Sequence, residues 1–312
     1  MDAALIALDW GTSRLRASLL GDGGQVLEAR SAPGGVMAVK DGQFAAALIA
    51  LCGDWLARHD CPLVASGMVG SRQGWREAPY LPCPATLALA VNCMTTIDIA
   101  SPGQLAARRL HIAPGLRCLD EAGEFDVMRG EETQIWGAGL AAEGCCVLPG
   151  THSKWAWVDG SGAISRFATY MTGEFYGLLT QHGILGRLMQ FDDAPGTLRQ
   201  DEFSRGVKLG LAQHGQLSHT VFAARTAGLM GTVAPAALPD FLSGILIGAE
   251  IGAATQAGVP PAPVTLIGDD ALCRRYETAL RLCGLASVRA PEGSTTRGQW
   301  LLARAAGLIG PA

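Results

Sequence analysis

The feature that most constrains the fold is a strand–turn–strand pattern that occurs twice. In the first copy, predicted strands at 4–9, 14–20 and 25–31 surround a Gly-Thr-Ser turn at 11–13. Residues 146–167 repeat this order, with a Gly-Thr-x-Ser turn and a second turn rich in Asp and Gly. Two such units, each near the start of one half of the chain, predict a duplicated domain.

The rest of the sequence alternates between helical and strand patterns. Buried strands are predicted at 62–67, 109–114 and 263–267. Helices are predicted at 41–58, with Asp41 as a possible N-cap, and at 173–190, 201–214, 218–230, 240–257, 270–283 and 297–309. This order is typical of an α/β fold with mixed sheets flanked by helices.

The chain has 312 residues, which favours two domains because single cores stop growing near about 250–300 residues. We expect an N-terminal domain over 1–130, an interdomain helix over 131–144 and a C-terminal domain over 145–296. The helix at 297–309 is expected to rejoin the first domain.

Charge and composition exclude several classes of protein. The net charge is −4, without the basic stripe that nucleic acids require. No apolar run reaches the roughly 20 residues of a membrane helix, and the acidic N-terminus is unlike a secretion signal. Nine cysteines without C-x-x-C spacing favour neither a disulfide framework nor a zinc site. We expect a cytoplasmic protein with no nucleic-acid or membrane partner.

The two glycine-threonine turns suggest phosphate binding. Backbone N–H groups and hydroxyls from both turns, facing each other across a cleft, could cradle one nucleotide. Asp9 precedes the first turn, whereas Leu148 and Pro149 take the corresponding places in the second. One carboxylate near polyphosphate is suited to hydrated Mg²⁺, so Asp9 is the metal candidate. Alternatively, both turns are ordinary hairpin connections and Asp9 is a turn cap.

Both turns resemble motifs of one superfamily. "LDWGTSRLRASLL" and "LPGTHSKWAWVDGSG" resemble the phosphate-1 and phosphate-2 motifs of the sugar kinase, Hsp70 and actin superfamily, in which two RNase H-like domains clamp ATP in the cleft between them. "VTLIGDDALCRRYETAL" resembles its adenosine motif. The resemblance implies a nucleoside over Gly268 and Asp269, and phosphates bound by Gly11, Thr12, Ser13, Arg14, Gly150, Thr151, His152, Ser153 and Lys154. His152 and Lys154 could instead be strand-edge residues in solvent.

A more specific resemblance is to the 2-dehydro-3-deoxygalactonokinases. It rests on "DWGTSRLRA", "GMVGSRQGWREAPYLPCPA", "MRGEETQIWGA", "LPGTHSKW" and "MTGEFYGLL", in that order. The resemblance implies Mg²⁺-dependent transfer of phosphate from ATP to the terminal hydroxyl of 2-dehydro-3-deoxy-D-galactonate, which yields the 6-phosphate in galactonate breakdown.

Two acids at the start of a predicted helix are the candidates for general base. Sugar kinases of this superfamily place a catalytic carboxylate at this position, just before a threonine. Glu132, which precedes Thr133, is therefore the first choice, and Glu131 is the second. Alternatively, both acids only favour the helix N-terminus and point into water.

A sugar acid requires a positive or multiply donating pocket. "GSRQGW" offers Ser71, Arg72 and Gln73, with Trp75 as a wall. The remaining candidates lie near the two turns, and they are Trp10, Arg14, Arg16 and Glu174. For each arginine the alternative is a solvated surface position, and for Trp10 it is core packing or a place in the cleft wall.

Other functions remain open at this stage. A phosphohydrolase similar to exopolyphosphatases would use the same helix-borne glutamate to activate water. A nucleotide-binding regulator would keep both turns and need no base. A kinase for gluconate or 2-dehydro-3-deoxygluconate is also compatible with the motifs. The oligomeric state is open as well, and a homodimer is one possibility.

Overall fold

A computed structural model describes residues 3–99, 108–140, 143–191, 198–256, 258–261 and 263–310. Up to residue 140 they form β1 (Ala3–Trp10), β2 (Leu15–Gly21), β3 (Val26–Ala32), α1 (Phe44–Arg58), β4 (Leu63–Ser66), β5 (Tyr80–Pro82), α2 (Leu87–Val91), β6 (Thr95–Ile99), β7 (Arg108–Ile112), β8 (Gly115–Leu119), β9 (Phe125–Met128) and α3 (Glu131–Ala138). After it come β10 (Gly144–Leu148), β11 (Ser153–Val158), β12 (Ile164–Tyr170), α4 (Thr172–Gln181), α5 (Gln200–Ala212), α6 (Leu217–Thr220), α7 (Ala223–Leu229), α8 (Leu238–Ala254), β13 (Val264–Leu266), α9 (Asp270–Leu282), β14 (Ser287–Arg289) and α10 (Ser294–Ala305). In the described residues no helix could span a membrane.

The first sheet is mixed and has the order β3-β2-β1-β4-β7-β6. Its central strand β1 is antiparallel to β2 and parallel to β4. Ile6, Leu8 and Trp10 pack in the core that contains α1, whereas Leu5 and Ala7 pack with residues of α10. Both faces of β1 are therefore largely covered by packing.

The second sheet has the order β12-β11-β10-β13-β14. In both sheets the first hairpin strand is central, with the second and third strands on one side and later strands on the other. This shared order agrees with a duplicated domain. A third, smaller sheet joins β5, β8 and β9.

The chain forms two compact units. Unit 1 comprises Met1–Ala142, Val158–Arg166 and Pro291–Ala312, and unit 2 comprises Glu143–Trp157 and Phe167–Ala290. Unit 1 is thus assembled from three separate stretches of sequence.

Within unit 1, helices α3 and α10 touch backbone to backbone. A Cβ atom on Gly137 would stand 1.8 Å from the carbonyl oxygen of Ser294, and one on Gly298 would stand 1.9 Å from that of Thr133. Real Cβ atoms do not come so close, so any larger residue at either glycine would push the helices apart. The last helix is therefore fixed directly against the helix that carries Glu131 and Glu132.

Several predicted helix limits need correction. The predicted helix 131–144 ends at Ala138, because Gly139 has a left-handed backbone that stops it; residues 141 and 142 lie outside the described part. The predicted helix 297–309 spans Ser294–Ala305. Asp41 also has a left-handed backbone, and α1 starts three residues later, at Phe44.

Two longer predicted helices are shorter or interrupted. The predicted helix 173–190 ends at Gln181 and is followed by a short 3-10 turn, and the predicted helix 218–230 is divided into α6 and α7. The predicted helix 240–257 corresponds to α8, which begins at Leu238 and ends at Ala254; residue 257 lies outside the described part. Sequence patterns missed α2, β5, β6, β8, β9 and β14, which have three to five residues each.

Candidate functional site

The first glycine-threonine turn is exposed and firmly supported from behind. Thr12, Ser13 and Arg14 are exposed, and the N–H of Gly11 donates to the carbonyl of Arg14 at 3.0 Å. Residues 34–37 back the turn: two of their N–H groups donate to its carbonyls at 3.0 and 3.2 Å. The turn is therefore fixed in shape while its outer face remains free for a ligand.

Trp10 lies in the core. Its ring is fully buried and meets Phe44 and Trp75 edge-on, at centroid distances of 5.6 and 6.1 Å. Its Nε1–H donates to the carbonyl of Gly34 at 2.9 Å, which ties β1 to the supporting segment. The structure therefore gives no support for Trp10 as a substrate-binding residue, because none of its side chain is accessible.

Asp9 occupies the end of β1, where the strand meets the turn. Its Oδ2 accepts a hydrogen bond from Nη1 of Arg16 at 2.9 Å, and the two residues are paired across β1 and β2. The Asp9 side chain keeps 28% of its surface exposed. Asp9 and Arg16 line a polar pocket together with Ala7, Ser18, Thr295, Thr296 and Gln299. A partly exposed carboxylate among hydroxyls suits a hydrated cation.

Gln299, which the sequence analysis missed, ties α10 to this pocket. It is 1% exposed, and its Nε2 donates to the carbonyl of Leu8 at 2.6 Å and to the hydroxyl of Ser66 at 2.9 Å. Its Oε1 has no hydrogen-bond partner. Gln299 thereby connects β1 to the end of β4. Its contact in β1 is Leu8, the residue before Asp9, and its contact in β4 is Ser66.

Glu131 and Glu132 begin α3 but have different environments. Glu132 is fully buried, and its carboxylate accepts from the N–H of Gly130 at 2.6 Å and from the hydroxyl of Thr133 at 2.9 Å. Burial, assisted by the negative charge of Glu131, raises the pKa of Glu132 to about 7. Glu131 is only partly buried, and its Oε2 accepts from the N–H of Arg129 at 3.0 Å.

Gly67, which follows β4, brings Asp9 and the start of α3 to one edge of unit 1. A Cβ atom on Gly67 would stand 3.7 Å from Oδ1 of Asp9, and one on Gly130 would stand 3.1 Å from the Cα of Gly67. The ends of β1 and β4 therefore meet the segment that leads into α3. Residues more than 120 positions apart in sequence share this edge.

The predicted "GSRQGW" loop is mostly a surface feature. Arg72 has 85% of its side chain exposed and lies 3.6 Å from the Glu77 carboxylate. Gln73 is exposed, whereas Ser71 is buried and its Oγ has no partner. Trp75 is half-buried and stacks on Phe44 at 6.0 Å. Only Ser71 and Trp75 thus face the interior of unit 1.

Arg129 is the second residue that the sequence analysis missed. It is 8% exposed, stacks 4.2 Å above the Tyr80 ring and donates through Nη2 to the carbonyl of Ala78 at 2.8 Å. Its Nη1 has no partner and would stand 3.0 Å from a Cβ on Gly70, the residue before Ser71. The unpaired N–H of the buried Arg129 and the unpaired hydroxyl of Ser71 are therefore candidate donors to an anion.

The second turn, in unit 2, is only partly exposed. Thr151 and His152 are exposed, and Nε2 of His152 lies 2.5 Å from Oε2 of Glu174. Ser153 and Lys154 are buried, so the hydroxyl of Ser153 points inward. The N–H of Glu174 donates to the carbonyl of Thr151 at 2.9 Å. Glu174 therefore belongs to the second turn through both its backbone and its side chain.

A pocket in unit 2 joins the second turn to α9. Asp269 caps α9: its Oδ1 accepts from the N–H groups of Ala271 and Leu272 at 2.9 and 3.2 Å. A Cβ on Gly268 would stand 3.6 Å from the carbonyl of Pro149, which precedes the turn. The pocket lining is both polar and apolar and consists of Gly150, Thr172, Gly173, Tyr176, Ser243, Leu246, Ile247, Leu272, Arg275 and Tyr276. A lining that combines the glycine backbone, the guanidinium of Arg275 and aliphatic side chains suits a nucleotide.

Within the described part of the chain, no group of three or more His, Cys, Asp or Glu side chains could hold a metal by itself. A metal at Asp9 would need ligands from water or phosphate, which is how Mg²⁺ usually binds.

Comparison with known proteins gives a consistent result. The family model of 2-keto-3-deoxy-galactonokinases matches residues 9–302. The 2-dehydro-3-deoxygalactonokinase of Escherichia coli is 36% identical over 95% of both chains. A crystal structure from Sinorhizobium meliloti, named provisionally for the same activity, superposes with a TM-score of 0.85 at 32% identity, over 96% of this chain and 98% of that one. Gluconate kinase from Lactobacillus acidophilus shares the fold at a TM-score of 0.52 and 10% identity, over 98% and 90% of the two chains.

Proposed function

This chain belongs to the 2-keto-3-deoxy-galactonokinase family, and on that premise we propose that it transfers the terminal phosphoryl group of ATP to 2-dehydro-3-deoxy-D-galactonate. The acceptor is the terminal hydroxyl, and the product is the 6-phosphate. The observation that carries the proposal is the grouping of Asp9, Gly67 and the start of α3 at one edge of unit 1. A kinase that draws on cellular ATP for galactonate breakdown is expected to act in the cytoplasm.

We assign the nucleotide to unit 2. The pocket beside Gly150 and α9 supports this assignment, because it joins a glycine turn to the capped start of a 13-residue helix. The N–H groups of the turn and the exposed His152 would hold phosphate oxygens, and the aliphatic walls would enclose the base. Ser153 is not part of this set, since it is buried and its hydroxyl donates to the carboxylate of Glu250.

We assign the sugar acid and Mg²⁺ to unit 1. The carboxylate of Asp9 is accessible and lies in a pocket with hydroxyl groups. The residues of this pocket therefore fit a cation that keeps most of its waters. When bound, Mg²⁺ would neutralise the charge that develops on the transferred phosphoryl group. The exposed first turn would present the N–H groups of Thr12 and Ser13 to phosphate, whereas that of Gly11 already donates to the carbonyl of Arg14.

The geometry favours Glu131 over Glu132 as the general base, which reverses the order of preference from the sequence. A base must come within hydrogen-bonding distance of the hydroxyl proton that it accepts. Glu132 has no exposed surface and both of its oxygens already accept hydrogen bonds, whereas Glu131 is partly exposed. Glu131 would receive the proton as the sugar oxygen attacks phosphorus, and Glu132 would hold the start of α3 in place.

We assign the substrate carboxylate to Arg129 rather than to Arg72. Arg72 is 85% exposed, so water competes fully for its guanidinium. Arg129 is buried, has one unpaired N–H and lies two residues from Glu131. A six-carbon acid has its carboxylate and its reactive hydroxyl at opposite ends, and Arg129 and Glu131 would hold one end each.

The test is an assay of ADP release with ATP and Mg²⁺ across a panel of 2-dehydro-3-deoxy sugar acids. We expect the galactonate derivative to give the highest kcat/KM, and we expect Glu131→Gln to lower kcat by about a hundredfold or more, since general bases contribute about 10²–10⁴. Asp126→Asn, at a carboxylate in the neighbouring strand β9, is the matched control and should change kcat little. Steady ATP hydrolysis that no sugar acid accelerates would refute the kinase assignment and favour a phosphohydrolase.

A further inference from the structure

Glu250 is a buried carboxylate in the middle of α8, a helix whose other buried residues are mostly apolar or glycine. It is 3% exposed. Its Oε1 accepts from the hydroxyl of Ser153 at 2.7 Å and from Nε1–H of Trp155 at 2.8 Å. Its Oε2 accepts from the Tyr276 hydroxyl at 2.6 Å and from the Thr172 hydroxyl. Four donors thus converge on one carboxylate.

The four donors come from three separate elements that surround the nucleotide pocket. Ser153 and Trp155 belong to β11, which leaves the second turn; Thr172 begins α4; and Tyr276 lies in α9. Thr172 and Tyr276 also line the pocket itself. Glu250 therefore bonds to the turn strand and to two pocket walls without lining that pocket.

The close packing around the turn makes small displacements consequential. A Cβ on Gly173 would stand 2.4 Å from the carbonyl of Gly150, so the start of α4 presses on the turn. The backbone bond from Glu174 to Thr151 fastens the same contact. A change in the position of Thr172 would therefore be passed to the turn that we assign to the phosphates.

Burying a carboxylate is costly unless donors compensate for its lost water. Burial raises the pKa of Glu250, and its hydrogen bonds act in the opposite direction. Apolar replacement would remove this acceptor from four donors, three of which are buried, and a buried donor left without an acceptor costs free energy.

We propose that Glu250 is a positioning residue that holds the second turn, the start of α4 and α9 in the arrangement that binds the nucleotide. The inference rests on the proposed function for the identity of the ligand. It assigns no contact between Glu250 and ATP. It states that the affinity for nucleotide depends on the cluster formed by Glu250, Ser153, Trp155, Thr172 and Tyr276.

Glu250→Gln is the primary test. Glutamine keeps the size, and its amide oxygen can accept from Trp155, whose N–H only donates; its amide N–H₂ then faces Thr172 and Tyr276, whose hydroxyls can turn to accept. We expect a rise of about tenfold in the KM for ATP and in the ADP dissociation constant from calorimetry, and a change of less than about twofold in the KM for sugar acid.

Tyr276→Phe is the second variant, because it keeps the ring and removes one donor. We expect a smaller rise in the same direction, and the double variant should be less than additive because the two residues share one hydrogen bond. Val207→Ala is the matched control: Val207 is fully buried in the core of unit 2 and does not line the pocket. It should lower stability without changing the KM for ATP.

The outcomes separate this inference from the proposed function. If Glu250→Gln lowers the melting temperature as Val207→Ala does but leaves ADP binding unchanged, Glu250 has only a structural role and the inference is wrong. If the wild-type protein phosphorylates no sugar acid while Glu250→Gln still weakens ADP binding, the substrate assignment fails and the positioning role holds.

Discussion

The buried carboxyl of Glu132 makes the stability of this protein depend on pH in a defined direction. Burial raises its folded-state pKa from the ordinary 4.5 to about 7. Below the ordinary value the group is neutral in both states. As the pH rises from there, the unfolded chain ionises first, so stability falls until the folded state also ionises near pH 7.

The size of the effect follows from the shift. Each pKa unit corresponds to about 1.4 kcal/mol, so the free energy of unfolding falls by about 3 kcal/mol over the whole window, and most of this loss occurs between about pH 5 and about pH 8. Glu132→Gln removes the ionisable group and keeps an oxygen that can accept from the N–H of Gly130. The variant therefore escapes this loss, and its stability relative to wild type should rise with pH.

Urea unfolding followed by tryptophan fluorescence at several pH values measures this difference. The Glu131→Gln variant serves as the control, because the negative charge of Glu131 contributes to the raised pKa of Glu132. In that variant the pH dependence should persist but be smaller. A stability difference between Glu132→Gln and wild type that stays constant from about pH 5 to about pH 8 would refute the reasoning, since it would mean that Glu132 has the same pKa in both states.

Two further substitutions test unit 1. Asp9→Asn should raise the Mg²⁺ concentration required for half-maximal activity by about tenfold, while Asp22→Asn in the exposed hairpin that follows should leave it unchanged; equal effects would remove Asp9 from the metal site. Arg129→Lys should raise the KM for sugar acid by about tenfold with little change in the KM for ATP, because lysine lacks the guanidinium fork. Arg72→Gln is its control, and a larger effect there would reverse the assignment of the carboxylate.

The fold was largely predictable because the repeated hairpin unit is long and strongly patterned. Each copy has three predicted strands with recognisable turns between them. This pattern predicts a domain and its duplicate before any helix is considered. The small sheet of β5, β8 and β9 was not predictable, since its strands have three to five residues and β5 pairs with β8 across 35 positions of sequence. Strands this short carry no reliable alternation.

Strand parity explains why some predicted site residues turned out to be buried. Trp10 lies two residues after Leu8 on the same face of β1, so the period of two already places it in the core, whereas Asp9 points to the other face. Ser153 opens β11 with its side chain inward, although the turn before it is exposed. Proximity to a turn in sequence does not by itself make a residue available to a ligand.

The residues that the sequence did not reveal act over long separations. Gln299 bonds to Leu8, 291 positions away, and Glu250 bonds to Ser153 at a separation of 97. Such contacts depend on tertiary packing, and no local spacing records them. The available signal was a polar residue in an otherwise apolar stretch, which was present at Glu250 but not at Gln299, because Gln299 follows the polar residues 294–297.

The division of unit 1 has a consequence for how the chain is made. Its first 142 residues leave the ribosome before unit 2, but α10, which covers Leu5 and Ala7 and supports α3 through Gly137 and Gly298, is translated after unit 2. Domains generally fold as units during synthesis. The face of β1 that α10 covers therefore lacks this cover until more than 150 further residues have been added, and we expect the nascent N-terminal half to be open to aggregation or to chaperones during that time.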